Sequence, residues 1–152
     1  MPSVTLDDVA KQIIALLQRD GRMPYAAIGK EVGLSEAAVR QRVQRLTDAG
    51  VIDIVAVTDP IQLGFARQAM IGIRASGPLE PLADALAELP EVDYVVITAG
   101  SYDLMVEVVC ASDDHLLELV STKIRKRPEV TSSETFMYLK LVKQTYTWGV
   151  PE

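Results

Sequence analysis

The sequence predicts an α+β fold made of a helix-turn-helix followed by a ferredoxin-like β-α-β-β-α-β domain. Apolar residues recur at helical spacing over the first third of the chain, and a Gly-Leu-Ser turn begins at Gly33 between two of these segments. Farther on, strand-like apolar runs alternate with helical ones. We therefore assign residues 1–52 to the helix-turn-helix domain, 53–66 to a linker and 67–152 to the ferredoxin-like domain.

The first predicted helix lies between Thr5 and Asp20. Its apolar stripe consists of Val9, Ile13, Leu16 and Leu17. Thr5, followed three residues later by Asp8, predicts a capped N-terminus, and Asp20-Gly21 predicts the end of the helix. This helix shares one small core with the two helices that follow.

The first helix of the helix-turn-helix has Ile28 and Val32 on one face, with Gly29 between them. Because glycine has no side chain, Gly29 allows a neighbouring helix to approach closely. Gly33 supplies the positive φ that a tight turn requires, and Ser35 is the expected N-cap of the next helix.

The second helix of the motif has one apolar face and one polar face. Val39, Val43 and Leu46 fall at i, i+4 and i+7, so we expect them to point into the core. Gly50 is expected just past the last turn, where glycine commonly ends a helix.

The polar face of this second helix is suited to the major groove of DNA. Arg40 and Gln41 would reach base edges, whereas Arg42 and Arg45 would contact phosphates. The predicted DNA-binding residues are Ser35, Glu36, Ala37, Arg40, Gln41, Arg42, Gln44 and Arg45. The structural alternative is a helical hairpin whose polar face is merely solvated.

A change of pattern marks the second domain. The apolar run 54–57 is strand-like and ends at Asp59-Pro60, which indicates a linker. Four strands are predicted at 69–75, 94–98, 104–110 and about 130–142. Two helices are predicted at 78–89, with the stripe Leu82, Leu86 and Leu89, and from Ser112 or Asp113 to Arg127, with the stripe Leu116, Leu117, Val120 and Ile124. An antiparallel sheet with both helices on one face follows from this order.

The last predicted strand carries Phe136, Met137 and Tyr138, so bulky residues point to both faces of the sheet. A two-layer monomer needs to bury only one of these faces. We therefore expect a homodimer joined sheet to sheet.

The composition is that of a soluble globular protein, with 152 residues of which 49% are hydrophobic and 24% charged. No apolar run approaches the roughly 20 residues of a membrane span, and the N-terminus lacks a signal-peptide pattern. A cytoplasmic protein without membrane contact is expected. Cys110 is the only cysteine, which excludes an intrachain disulfide and a cysteine-based zinc cluster, and we expect a buried thiol.

The net charge of −6 is unevenly distributed along the chain. Residues 1–60 hold seven Lys and Arg against eight Asp and Glu, whereas residues 61–152 hold eight against thirteen. A nearly neutral helix-turn-helix makes few phosphate contacts on its own. DNA binding is therefore predicted to require a dimer or a larger assembly.

Several segments together carry a resemblance to a known family: 16–22, 33–35 with Val39, Arg42 and Arg45-Leu46, 50–52, Asp59-Pro60 with Leu63-Gly64, 100–104, and Glu134-Thr135. With these segments the chain resembles the Lrp/AsnC family of prokaryotic feast/famine transcription regulators, from about Leu6 to Lys143. The resemblance implies a winged helix-turn-helix and a β-α-β-β-α-β sensing domain that dimerises through its sheets. It also implies octameric discs and an amino-acid effector bound at contacts between dimers.

The same resemblance places the effector site at Gly100, Ser101, Tyr102 and Asp103, with Thr135 as a further wall. The residue types allow this, because free loop amides can receive a carboxylate and Asp103 can pair with an α-ammonium group. Tyr102 could supply a wall and a hydroxyl. The structural alternative is an ordinary hairpin connection in which Asp103 bonds its own backbone.

We predict a sequence-specific DNA-binding transcriptional regulator, and not an enzyme, whose DNA binding or assembly responds to an amino acid or related metabolite. Its expected partners are double-stranded operator DNA, the effector, and copies of the same chain in a homodimer and an octamer. No cofactor or metal is expected.

Two alternatives stay open: an effector-independent architectural protein that compacts DNA, and a small ferredoxin-like enzyme. The enzyme has less support, since the sequence has no metal-ligand spacing, phosphate loop or nucleophile elbow. The sole histidine, His115, is expected to be a solvated residue at a helix start.

Overall fold

The structure is a computed structural model that describes residues 6–146 and 149–150. The chain divides into two compact units, one formed by residues 1–57 with 144–152 and the other by residues 58–143. Each unit is built around its own apolar core.

The first unit contains three helices: α1 (Asp8–Arg19), α2 (Tyr25–Val32) and α3 (Glu36–Asp48). The side chain of Asp7 caps α1, because its Oδ1 accepts from the amide of Ala10 at 2.7 Å. Thr5, which we predicted as the N-cap, lies outside the described residues. The capped start of α1 is therefore two residues later than the sequence pattern indicated.

The core of the first unit follows the predicted stripes. The buried apolar side chains are Ala10, Ile13, Ile14, Leu16 and Leu17 of α1, Ile28 of α2, and Val39, Val43 and Leu46 of α3; Ala10 and Ile14 were not part of the predicted stripe. Val9 and Val32 pack at the edge of this core and are only partly buried. Three helices thus share one core, as predicted.

The turn between α2 and α3 is closed by backbone geometry. Gly33 has φ 71°, and the amide of Leu34 donates to the carbonyl of Gly29 at 2.9 Å. A Cβ on Gly29 would lie 2.4 Å from the carbonyl oxygen of Leu34, so the turn fits only against glycine. Ser35 then caps α3 by accepting from the amide of Ala38 at 3.2 Å. Both the turn glycine and the cap are confirmed.

The end of α3 also has the predicted geometry. Gly50 has φ 66° and donates to the carbonyl of Thr47, while Val51 donates to the carbonyl of Leu46. This pair of hydrogen bonds is the Schellman motif, which satisfies carbonyl groups in the last turn of a helix.

The strand-like apolar run 54–57, which we assigned to the linker, forms no strand. Residues 54–57 have no ladder partner among the described residues, and Val55 is 72% exposed. A strand is stable only when a neighbouring edge pairs with its backbone, and the described part of this unit contains no other strand.

The second unit has the predicted β-α-β-β-α-β order. Its elements are β1 (Arg67–Ala75), α4 (Leu79–Ala87), β2 (Val92–Ile97), β3 (Leu104–Cys110), α5 (Asp113–Glu118) continued by a π-helix (Leu119–Ile124), and β4 (Val130–Met137). The sheet is antiparallel in the order β2-β3-β1-β4. The last strand ends at Met137, five residues before the predicted end.

One face of the sheet carries the core and the other is open. Ile71 and Ile73 of β1 and Val106 of β3 are fully buried with Leu86 of α4. The alternate residues of the strands point to the opposite face, which contains the half-exposed side chains of Tyr94 and Phe136. We refer to this second surface as the open sheet face.

The helix after Ser112 changes its hydrogen bonding midway. The amide of Arg125 donates to the carbonyl of Val120 at 2.9 Å, an i to i−5 bond typical of a π-helix. Leu119 and Ile124, five residues apart, are both fully buried, whereas Leu117 is 63% exposed. The predicted stripe was wrong at Leu117, because α-helical spacing does not apply across this turn.

Candidate nucleic-acid interface and effector loop

Helix α3 presents a continuous polar surface opposite its buried face. The exposed residues of this surface, which we call the α3 polar face, are Glu36, Ala37, Arg40, Gln41, Gln44, Arg45 and Asp48. The capping residue Ser35 is also exposed. All the predicted DNA-binding residues except Arg42 therefore lie exposed on or beside one helical surface.

The guanidinium of Arg40 has two neighbours on this face. Its Nη2 lies 2.8 Å from the Oε1 of Glu36, one helical turn earlier. Its Cζ also lies 5.2 Å from the ring centroid of Tyr25, the first residue of α2. A cation over an aromatic face is attracted by the ring quadrupole, so Arg40 is held in a defined position on the surface.

Arg42 occupies a different environment. Its Nη1 donates to both carboxylate oxygens of Asp7, at 3.0 and 2.7 Å. The same carboxylate caps α1, and hydrogen bonding from Arg42 keeps the pKa of Asp7 below its ordinary value. Arg42 thus ties α3 to the start of α1 across the sequence, a role that the spacing of residues within α3 could not reveal.

The C-terminal half of α3 contains a second polar pair. Gln44 donates from Nε2 to the Oδ1 of Asp48 at 2.7 Å. Arg45, one residue farther, is exposed and makes no ion pair with the described residues. Among the three arginines of α3, Arg45 is the one whose charge is not already matched by a carboxylate.

The predicted effector loop connects β2 to β3 and is bonded to β1. The amide of Asp103 donates to the carbonyl of Ile73 at 2.9 Å, and its carboxylate accepts from the amide of Ala75 at 2.8 Å. Across the loop, the hydroxyl of Thr98 donates to the carbonyl of Tyr102 at 2.6 Å. The Asp103 side chain bonds the backbone of β1 and not its own, so the structural alternative of an ordinary hairpin connection was wrong about its partner.

The ring of Tyr102 lies flat on the open sheet face above Gly72. A Cβ on Gly72 would lie 2.7 to 2.8 Å from three carbons of that ring. The Tyr102 hydroxyl donates to the carboxylate of Glu134, and the ring meets Phe136 edge to face with centroids 6.0 Å apart. Hydrogen bonding to Glu134 raises the pKa of Tyr102. Arg74 lies 5.9 Å from the ring centroid.

The structure does not bring all the predicted effector residues together. Thr135 pairs with Ile71 and therefore faces the helices, whereas Glu134 pairs with Gly72 on the open sheet face beside Tyr102. Gly100 and Ser101 are exposed at the tip of the loop, and a Cβ on Gly100 would meet nothing within 4 Å. Thr135 and Tyr102 thus point to opposite sides of the sheet.

The role of Gly72 was not predicted from the sequence. A glycine in the middle of a strand can mark the close approach of another group, and this signal was present in the sequence. The group that approaches comes from a loop thirty residues later, so only the folded sheet could identify it.

An ion cluster around a buried carboxylate joins Glu91, the residue before β2, to α5 and to the π-helix. Glu91 is 7% exposed, and its Oε1 lies 2.6 Å from the Nζ of Lys123 and 3.0 Å from the Nε2 of His115. Burial opposes ionisation of this carboxyl, yet hydrogen bonds from Lys123 and His115 lower the pKa of Glu91 to about 2. His115 is half-buried in this cluster, so its prediction as a solvated residue was wrong. Cys110 is fully buried as predicted, and burial raises its pKa.

Two structural features are absent from the described residues. No helix within 6–146 or 149–150 is both long and apolar enough to cross a membrane. Over the same residues, no three His, Cys, Asp or Glu side chains are grouped closely enough to hold a metal ion.

Models of two protein domains match the chain. The AsnC-type helix-turn-helix domain matches residues 6–47, and a C-terminal dimeric α+β barrel domain of AsnC-type regulators matches residues 65–151. Together these matches include α1 to α3 and the whole four-stranded sheet.

Two relatives align with the chain over almost their entire lengths. The chain is 34% identical to the HTH-type transcriptional regulator FL11 of Pyrococcus horikoshii, over 93% of this chain and 95% of the relative. It is 30% identical to the regulatory protein AsnC of Escherichia coli, over 92% of this chain and 94% of that protein. Both relatives are named as regulators.

Solved structures share the fold. The structure of E. coli AsnC matches with a TM-score of 0.80 at 28% sequence identity, covering 95% of this chain and 99% of the other. A transcriptional regulator of Neisseria meningitidis, solved in complex with L-Met, matches with a TM-score of 0.81 at 23% identity, covering 97% of each chain. The latter likeness establishes the fold alone.

Proposed function

Because the chain belongs to the Lrp/AsnC family of helix-turn-helix transcriptional regulators, we propose that it binds operator DNA through α3 and responds to an amino acid or related metabolite. The observation that carries the DNA part is the α3 polar face, which lies on a helix capped by Ser35 directly after the turn at Gly33. A helix in this position enters the major groove with its N-terminal residues at base edges.

Within this proposal the three arginines of α3 have different tasks. Arg40, in the N-terminal half, reads a base, and Arg45, in the last turn, neutralises a phosphate. Arg42 keeps α3 against α1 through Asp7 and reaches a phosphate only if this ion pair opens. This assignment refines the expectation that Arg42 and Arg45 are equivalent phosphate contacts.

A homodimer is the smallest assembly that we propose for DNA binding. The first 60 residues are nearly neutral, so one module neutralises few phosphates, and affinity rises with the number neutralised. Two copies related by a two-fold axis would place two α3 helices in successive major grooves, about 34 Å apart. The open sheet face is the proposed contact between the copies, and an octamer of four dimers is the proposed larger form.

Binding to duplex DNA tests the proposal directly. We expect Arg40→Ala to lose roughly 1–3 kcal/mol of binding to the selected site, with reduced discrimination between sites. Arg45→Ala should weaken binding to all DNA sequences alike and should make the affinity depend less steeply on salt concentration. Lys126→Ala is the matched control, since it removes an exposed cation from the second unit. Unchanged affinity in the combined Arg40→Ala, Arg45→Ala protein would reject α3 as the interface.

The proposed effector site is the exposed tip of the loop at Gly100 and Ser101, with Asp103 at its base and Tyr102 beside it. The amides of Gly100 and Ser101 donate to no described residue, so they can receive a carboxylate. The second carboxylate oxygen of Asp103, Oδ1, makes no hydrogen bond within the described chain and can accept from an α-ammonium group. The L-Met complex of the Neisseria regulator supports an amino acid as the class of ligand.

Asp103→Asn is the sharpest test of the effector site. Asparagine keeps an oxygen for the amide of Ala75 but removes the negative charge, so the apo protein should keep its melting temperature. Loss of a charged hydrogen bond should weaken binding of the amino acid by roughly 1.5–3 kcal/mol, as measured by calorimetric titration. Unchanged affinity would leave Asp103 as a purely structural residue of the loop.

A screen of the amino acids by thermal shift identifies the ligand for this titration. A ligand present at a hundred times its Kd should stabilise the native protein by about 2.7 kcal/mol. DNA binding that is intact but insensitive to every amino acid would favour the effector-independent architectural protein.

A further inference from the structure

The ion pair between Glu36 and Arg40 lies where α3 would meet the bases. Both side chains are more than half exposed, and their polar atoms are 2.8 Å apart. The ring of Tyr25 under the guanidinium limits the positions that Arg40 can take. The pair therefore presents a cation and an anion side by side in the N-terminal half of the α3 polar face.

A carboxylate at this position needs an explanation, because DNA is a polyanion. Near phosphates, Glu36 would be repelled and would also cancel part of the charge on Arg40. In the major groove, however, base edges carry hydrogen-bond donors as well as acceptors. Glu36 is therefore compatible with DNA binding only if its carboxylate accepts a hydrogen bond from such a donor.

The major-groove donors are the N4 amino group of cytosine and the N6 amino group of adenine. Adenine carries the acceptor N7 beside its amino group, which would repel the second oxygen of a carboxylate. Cytosine presents a donor and no acceptor, whereas guanine and thymine present acceptors. A carboxylate therefore selects cytosine and disfavours the other three bases.

The hydrogen-bonding groups that Arg40 and Glu36 leave free suit a guanine and a cytosine. Arg40 uses one N–H of Nη2 for Glu36, and the rest of its fork is available for the O6 and N7 of a guanine. Glu36 uses Oε1 for Arg40, and its Oε2 makes no hydrogen bond within the described chain. One turn of helix separates the two residues, so they can address neighbouring base pairs.

We propose that Glu36 is a specificity-determining residue: Arg40 binds a guanine while Glu36, still paired with Arg40, accepts a hydrogen bond from the N4 of a cytosine in the adjacent base pair. This inference rests on the proposed binding of DNA by α3 and adds which bases that helix selects. Each half-site of the operator then contains a guanine and a cytosine in neighbouring base pairs.

The helix provides its own control. Asp48 is also a carboxylate on the α3 polar face, and it too is hydrogen-bonded to a residue four positions away, Gln44. It lies in the last turn, where a recognition helix contacts the backbone and not base edges. Asp48→Asn therefore removes an equal charge from the same surface without removing the proposed base contact.

The experiment is selection of sites by the full-length protein from a library of duplexes with randomised half-sites, followed by titration of the selected site and its single-base variants. Wild type should select guanine and cytosine in neighbouring pairs, and Arg40→Ala should lose the guanine. In Glu36→Gln the affinity ratio of the cytosine site to its single-base variants should fall about tenfold. The preferred base should change toward adenine, which glutamine binds through N6 and N7. Asp48→Asn should retain the wild-type preference.

The outcomes separate the two proposals. If wild type selects a defined site and Glu36→Gln selects the same site with the same discrimination, the inference on Glu36 is wrong and binding through α3 stands. A loss of cytosine preference that Asp48→Asn reproduces equally would assign the effect to charge alone and also overturn it. If wild type shows no sequence preference, both proposals fail. Melting curves of the variants, whose substitutions are on the surface, check that each is folded.

Discussion

The carboxyl of Glu91 makes stability depend on pH in the acid range. Its pKa is about 2 in the native protein, because hydrogen bonds from Lys123 and His115 outweigh the effect of burial, whereas the ordinary value is 4.5. A lowered pKa contributes stability above pH 4.5, and this contribution is lost as the pH falls toward 2. The difference corresponds to roughly 3 kcal/mol in the free energy of unfolding.

Urea unfolding between pH 7 and pH 2 measures this contribution. We expect the stability of wild type to fall more steeply below pH 4.5 than that of Glu91→Gln, whose side chain cannot ionise. The gap between the two proteins should therefore narrow in acid. Parallel curves for both would show that Glu91 does not carry the effect.

Gly72 is the second residue whose surroundings make a sharp prediction. Alanine at this position would place a Cβ less than 3 Å from the ring of Tyr102. The ring would therefore have to move, and the hydrogen bond from its hydroxyl to Glu134 would break. Overpacking of this kind costs about 1–3 kcal/mol in the free energy of unfolding. Gly100→Ala, where the added Cβ meets nothing, should change stability by less than about 0.5 kcal/mol. Equal effects in both variants would contradict the stacking.

At the scale of elements, the approach of the turn to α2 depends on Gly29. A methyl group there would lie 2.4 Å from a backbone oxygen, which cannot rotate away as a side chain can. Although alanine is the better helix former by about 1 kcal/mol, we expect Gly29→Ala to lower the melting temperature and weaken DNA binding, because α3 must move. Gly21→Ala, with ordinary contacts at 3.7 Å, should be tolerated. A stabilised Gly29→Ala protein would contradict the close approach.

The π-helix after α5 predicts different costs for neighbouring leucines. Leu119 is fully buried and Leu117 is 63% exposed, although an α-helical stripe would bury Leu117. Leu119→Ala should therefore lose about 2–5 kcal/mol through the cavity that it creates, whereas Leu117→Ala should lose less than about 0.5 kcal/mol. Chemical denaturation measures the stability of both variants. A larger loss of stability in Leu117→Ala than in Leu119→Ala would show that Leu117 is the buried residue, as in a regular α-helix.

For the whole molecule, the main expectation concerns assembly. The open sheet face contains the half-exposed rings of Tyr94 and Phe136 and the partly buried side chain of Met70, and an exposed apolar cluster of this kind is typical of a contact with another chain. Light scattering at micromolar concentration should return at least twice the mass of 16.6 kDa for one chain. If an amino acid binds between dimers, it must also shift the oligomer equilibrium, because the two equilibria are linked. The mass of a single chain would contradict the dimer.

The sequence by itself determined the order of the elements and most of the core. Helical spacing identified Ile13, Val39 and Leu46, and the glycine and serine at the α2–α3 turn identified the helix-turn-helix. These features follow from local rules, because periodicity sets which side of a helix is apolar and only certain residues fit a left-handed turn or an N-cap. The strand at 104–110 was likewise predicted to the residue.

Tertiary structure decided the features that depend on residues far apart in the chain. The pairing of Arg42 with Asp7, the stacking of Tyr102 on Gly72 and the contact of His115 with Glu91 each join segments separated by at least 24 positions. The register of Leu119 was set by packing, which favours a π-turn over the regular helical spacing. Sheet pairing also placed Thr135 on the face away from Tyr102. Such contacts have no periodic signature, because they are fixed by the distances between elements and not by the local preferences of the chain.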